Sequence, residues 1–161
     1  MRTSRFTIFG RALAFLAVVG LLLFPASSAF ADGAVTFTQP FHNVTESFPT
    51  TNDCTGDLGT VTLTYNGVVH ITTLPNGTSH FTVTQTGDFV FVPDDSNLPT
   101  FTGHFTLWAG ENFNNQNLAA TFTFTIHGTG SDGSKLRFHV TEHFSVSASG
   151  VVNTFSKLRC A

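Results

Sequence analysis

The chain has 161 residues, 41% of them hydrophobic and 11% charged, with a net charge of −3 and two cysteines. Once a leader is set aside this length holds one domain with one ordinary core, and two domains would be cramped. Arg2, Arg5 and Arg11 fall in the first 31 residues, so four Lys+Arg face ten Asp+Glu beyond them, a balance of −6 that argues against nucleic acid or an anionic membrane as a partner.

Residues 1–31 read as an export signal. The three arginines precede an apolar run over 12–24, and Ala29-Phe30-Ala31 supplies an A-x-A cleavage site. No cysteine follows the run, so no lipid anchor is expected, and no later stretch reaches the ~18 apolar residues of a membrane helix. The protein is therefore expected to be secreted, with a single domain over residues 32–161. In an oxidising compartment Cys54 and Cys160 are expected to bond to each other, as a structural staple between the start and the end of that domain.

The domain opens with VTFTQPF, a strand whose Pro40 suits an edge or a bulge. Phe41 and Phe48 differ in parity, so the face changes between them. Residues 46–59, rich in Pro, Thr, Asn, Asp and Gly, read as a loop carrying Cys54. Val61, Leu63, Tyr65, Val69 and Ile71 then share one phase, so Asn66-Gly67 is a bend or bulge in one long strand and not a two-residue hairpin turn. Pro75-Asn76-Gly77 fits a three-residue hairpin loop that pairs Ile71 with Phe81 and Val69 with Val83. A third strand runs on through Gln85, Gly87, Phe89 and Phe91. Residues 93–99 form a loop, Phe101, Phe105 and Leu107 begin a fourth strand, and the Asn-rich 110–117 read as another loop.

Over 121–126 the even positions are Phe122, Phe124 and Ile126 and the odd ones are all Thr, the two-residue period of a half-buried strand. After GTGSDGS the period resumes, with Leu136, Phe138, Val140, Phe144 and Val146 on one side and Arg137, His139, Thr141, His143 and Ser145 on the other. A turn centred near Gly133 pairs Phe122 with Phe144 and Ile126 with Val140. Residues 147–150 turn into a last strand through Val151 and Phe155 to Cys160. No segment after the signal has helical period. The expected fold is all-β, an antiparallel up-and-down meander of seven or eight strands closed into a barrel, with a β-sandwich as the alternative.

Tyr65, Gln85 and Glu142 are polar residues in the apolar phase of long strands. An unpaired carboxylate there would cost several kcal/mol or take up a proton, so Glu142 needs a partner, water or a ligand. These three are the candidate anchors of a small apolar or amphiphilic molecule in a barrel pocket. The opposite face carries most of the histidines among threonines. There His104 and Trp108 share a phase, and His127 opposes His139 in the Gly133-centred register; this set is the alternative, a surface for a cell-wall, polysaccharide or protein partner. His139 and His143 lie ~13 Å apart on a strand and cannot share an ion, so no metal is expected. GTGSDG matches G-x-G-x-x-G but leads into a strand, so no dinucleotide or other cofactor is expected. A third reading, an isomerase- or cyclase-like enzyme with Glu142 as acid or base, ranks last. Nothing in the sequence specifies an oligomeric state.

The run GHFTLWAGENFNNQNLAATFTFTIHGTGSDGSKLRFHVTEHF over 103–144, with the terminal Cys160, resembles a family of small secreted bacterial proteins of unknown function. The resemblance implies export and an all-β fold and brings no catalytic residues. In topology alone the chain is similar to lipocalin and allene-oxide-cyclase barrels, and likeness of fold does not transfer function.

Overall fold

A computed structural model describes residues 33–114 and 116–161; the expected export signal lies outside them. Seven strands follow in chain order: β1 (Val35–Thr51), β2 (Leu58–Thr73), β3 (Ser79–Pro93), β4 (Phe101–Phe113), β5 (Leu118–Gly130), β6 (Lys135–Val146) and β7 (Val152–Cys160). Each pairs antiparallel with its sequence neighbours in one sheet of order β1 to β7.

The meander is as expected, but its closure is not. Among the described residues β1 and β7 share no backbone ladder, so the sheet is open rather than a closed barrel, and a second sheet that would make a sandwich is also missing. The composition of β1 explains the open seam. Pro40 and Pro49 can donate no ladder bond, and a bulge between Phe41 and Val44, with Asn43 at φ 53°, breaks the strand's register. That bulge also makes the parity change expected between Phe41 and Phe48. It lies on β1, whereas β2 runs unbroken through Asn66-Gly67.

Alternation gives the sheet one apolar face, and the sheet curls to bury it. Val61 and Tyr65 of β2 join Phe89, Phe91, Phe101, Phe105 and Leu136 of β6 in one buried cluster. Rings cross the concave face in a chain: Phe41 to Tyr65 at 5.8 Å between centroids, Tyr65 to Phe105 at 6.0 Å, Phe105 to Phe124 at 5.6 Å and Phe124 to Phe138 at 5.9 Å. Edge-on and tilted rings at such separations attract beyond their area of burial. The chain skips β3 because Gly87 stands between Tyr65 and Phe105 in the ladder, and its missing side chain lets the two rings meet.

Three hairpins are built alike. Leu74, Gly130 and Ser147 each accept from a glycine three residues on and donate to the residue beyond it, and those glycines, Gly77, Gly133 and Gly150, all have φ near +80°. This is the three-residue loop expected at Pro75-Asn76-Gly77. In the β5–β6 hairpin it sets the turn one residue earlier than a Gly133 centre. Phe122 therefore opposes Glu142, Phe124 opposes Val140, and Ile126 opposes Phe138. A two-residue slide keeps each side chain on its face, so the alternation could not distinguish the two registers.

The Cys54–Cys160 bond, with a Cα–Cα distance of 5.6 Å, ties the β1–β2 loop to the end of β7 across the open seam. It spans 106 residues, for which chain entropy gives about 4 to 5 kcal/mol. Replacing both cysteines by Ser should lower the urea midpoint by that amount of stability. Equal midpoints for the oxidised protein and the double variant would show that closure does not depend on the bond.

Candidate functional site

The convex face is the more regular of the two. Thr82, Thr84 and Thr86 of β3, Thr102 and Thr106 of β4, and Thr121, Thr123, Thr125 and Thr129 of β5 share this face, and cross-strand pairs join threonine hydroxyls to imidazoles. Thr38 bonds His70 Nδ1 at 2.9 Å, Thr121 bonds His143 Nδ1 at 2.9 Å, and Thr125 bonds His139 Nδ1 at 2.8 Å. A further contact of 3.2 Å joins Thr141 to His139 Nε2. His104 Nδ1 meets Asp88 Oδ1 at 2.5 Å in solvent.

Within this field Trp108 stands out. It lies on β4 opposite Thr84 of β3 and Thr123 of β5, and 42% of it is exposed. Its ring is laid down along the strand over Gly110: a Cβ on that glycine would stand 2.7 Å from the indole Cη2 and 2.9 Å from Cζ2. Thr82 and Thr121 flank Gly110 in the same row. The outcome is a flat apolar plate with hydroxyls on two sides, a combination of stacking surface and hydrogen-bonding rim.

The histidine pair expected at the centre of this face does not form. His127 opposes His104 on one side and Arg137 on the other, while His139 opposes Thr125. The correction follows from the slid register of the β5–β6 hairpin. Among the described residues, no group of three or more His, Cys, Asp or Glu comes together in a way that could hold a metal ion.

On the concave face the three candidate anchors do not converge. Tyr65 and Gln85 are diagonal neighbours on β2 and β3, since Tyr65 opposes Gly87 and Gln85 opposes Gly67. Tyr65 is 5% exposed within the aromatic chain and donates to Glu46; burial and that carboxylate push its phenol far above the usual range. Glu142 lies on β6, opposite Phe122 and Ser156. It is 7% exposed, accepts from the Ser156 hydroxyl at 3.3 Å, and is raised above the ordinary carboxylate range by burial, with the negative charge of Asp53 adding to the rise.

Glu46, Asn52 and Asp53 escaped the sequence reading because the Thr- and Pro-rich stretch from 46 looked like a loop. Strand β1 in fact continues to Thr51, and the alternation Val44, Glu46, Phe48 was the signal for it. Desolvation raises both Glu46 and Asp53. Asn52 is 9% exposed, and its Nδ2 has no hydrogen-bond partner among the described residues.

No protein-family model matches the chain, and the comparisons with curated proteins and with solved structures return no match either. The fold class stands from its own geometry, as an open, curled, seven-stranded antiparallel meander.

The desolvated carboxyls set a pH dependence. Glu46, Asp53 and Glu142 all have folded pKa values above their unfolded ones, so each contributes stability that is full below about pH 4 and is lost as pH rises through its folded value. Glu142→Gln should therefore melt above the wild type at pH 7.5 and level with it near pH 4. A constant difference between the two proteins across that range would show that Glu142 titrates alike in both states.

Proposed function

We propose that the protein is an exported interaction module that takes a polysaccharide on its convex face, with Trp108 as the stacking platform. The indole resting over Gly110 among threonine hydroxyls is the observation that supports this reading. A pyranose ring has a matching character. Its C–H face packs on the negative face of an aromatic ring, and its hydroxyls project sideways. Threonine hydroxyls both donate and accept, so Thr82, Thr84, Thr121 and Thr123 suit such a rim without fixing one linkage.

Trp108 is the one tryptophan of the chain, so emission reports on this position directly. Adding a bound polysaccharide should shift the emission to the blue. Trp108→Ala should weaken binding by about tenfold or more, the usual loss at a central aromatic anchor. Gly110→Ala, whose methyl lifts the indole, should weaken it in part. If cell-wall and polysaccharide fractions bind the Trp108→Ala protein as tightly as the wild type, the platform is not the site.

A second reading keeps the concave face for a small apolar molecule. Val35, Phe37, Phe113 and Val152 are exposed in the concave phase, all at the end of the sheet that bears the β2–β3 and β6–β7 hairpins. Exposed apolar groups gathered at one end of this face suit the entrance of a ligand. Native mass spectrometry of the protein from its own host should then find an added mass that is lost on unfolding, and Glu142→Leu should abolish it. A bare chain in the folded state would remove this reading.

A further inference from the structure

Four Lys and Arg follow residue 31, and the fold gathers all of them: Lys135 and Arg137 on β6, Lys157 and Arg159 on β7. Each alternates with a concave apolar or disulfide residue, so all four are in the convex phase, and all are exposed. Composition gave no hint of this, because a chain with a balance of −6 has no reason to be basic anywhere. The acidic residues go elsewhere. Among the described strand residues Glu46, Glu111 and Glu142 are concave, and Asp88, three strands away from the nearest of these cations, is the convex one, occupied by His104. The remaining described carboxylates are in loops, with Asp132 in the turn just before Lys135 and engaged by Ser134.

The cations are also unspent. Lys135 donates to Thr129 at 3.0 Å, and among the described residues no carboxylate pairs with it, with Arg137, with Lys157 or with Arg159. Arg159 opposes His139, and Arg137 stands two residues from His139 on β6, which makes the guanidinium pair diagonal neighbours about 7 to 8 Å apart at the backbone. Beside them is a shallow depression of about 270 Å³, lined on this face by Thr125, His127, Arg137, His139, Arg159 and Ala161, whose backbone pairs with that of Arg137. Two forked guanidinium donors set diagonally on one exposed face suit a planar carboxylate.

The cations and the tryptophan share rows of the convex face. The ladders put Trp108, Thr123, Thr141 and Lys157 in one row across β4 to β7, a span of about 14 Å at the usual strand spacing. The neighbouring row holds Thr106, Thr125, His139 and Arg159. A polymer stacked on Trp108 and laid along these rows meets hydroxyls first and cations last.

We infer that the convex face of β6 and β7 is an acid-group subsite, and that the polymer the surface takes is an anionic polysaccharide carrying carboxylates. This rests on the polysaccharide reading of Trp108 and names the class of polymer. Four cations against an acidic whole favour a sparsely charged glycan over a nucleic acid, whose dense phosphates need many more cations and would be repelled by the rest of the chain. An anionic lipid surface would not need a flat platform with a hydroxyl rim.

The experiment measures binding of polygalacturonate, alginate and hyaluronan, each beside its methyl-esterified neutral form, at low and high salt. The proteins are the wild type, Arg137→Gln/Arg159→Gln and Trp108→Ala, with circular dichroism as the control of fold. At least one acidic polymer should bind the wild type about tenfold more tightly than its ester, and that margin should vanish in the double variant and shrink with salt. Equal binding of acid and ester overturns the acid-group subsite, and the stacking platform survives if Trp108→Ala still weakens both. Loss in the double variant with Trp108→Ala unchanged keeps the charged subsite and removes the platform. Tighter binding of single-stranded DNA or of phosphatidylglycerol vesicles than of any acidic glycan overturns the polysaccharide assignment, and no binding to any of the six polymers overturns both readings.

Discussion

A single sheet with one apolar face has nothing to pack against except itself. Fourteen phenylalanines follow the first 31 residues, and no helix or second sheet is present among the described residues to cover them. Burying an aromatic ring is worth on the order of 2 kcal/mol relative to leaving it in water, so the curl of the sheet is the step on which the rest depends. It brings β2 and β6 into one cluster, leaves Phe89 and Phe105 about 1% exposed, and carries the end of β7 back to the loop after β1.

The curl stops short of a barrel because of β1. A strand with two prolines and a bulge is a poor template for another, which protects this edge from pairing with a second chain as well as with β7. Closure is left to the disulfide, which joins the two ends of the sheet without any ladder between them. The same arrangement admits polar groups along the concave side. Glu142 with Ser156, Glu46 with Tyr65 and the half-satisfied Asn52 occupy it, and burial raises the two carboxyls above their ordinary range.

Rings occupy much of the concave face, while threonines, histidines and the cations are on the convex side. There the fold does something the alternation does not require. It sorts charge along the sheet, with threonine and tryptophan in the middle strands and every Lys and Arg beyond residue 31 on the last two.

The sequence by itself determined the strands and their faces. The two-residue period of Val61 to Ile71 and of Phe122 to Ile126 is a property of neighbouring residues, and it identified the all-β meander, the three-residue hairpin loop at Pro75-Asn76-Gly77 and the inward Glu142. It also singled out Trp108 and the two cysteines. What only the tertiary structure decided were relations between strands: the two-residue slide that separates His127 from His139, the continuation of β1 past Glu46, the open seam, and the gathering of Arg137 with Arg159. Alternation is unchanged by a slide of two residues and carries no information on which strand stands beside which, so these arrangements follow from ring packing, turn geometry and the disulfide acting together.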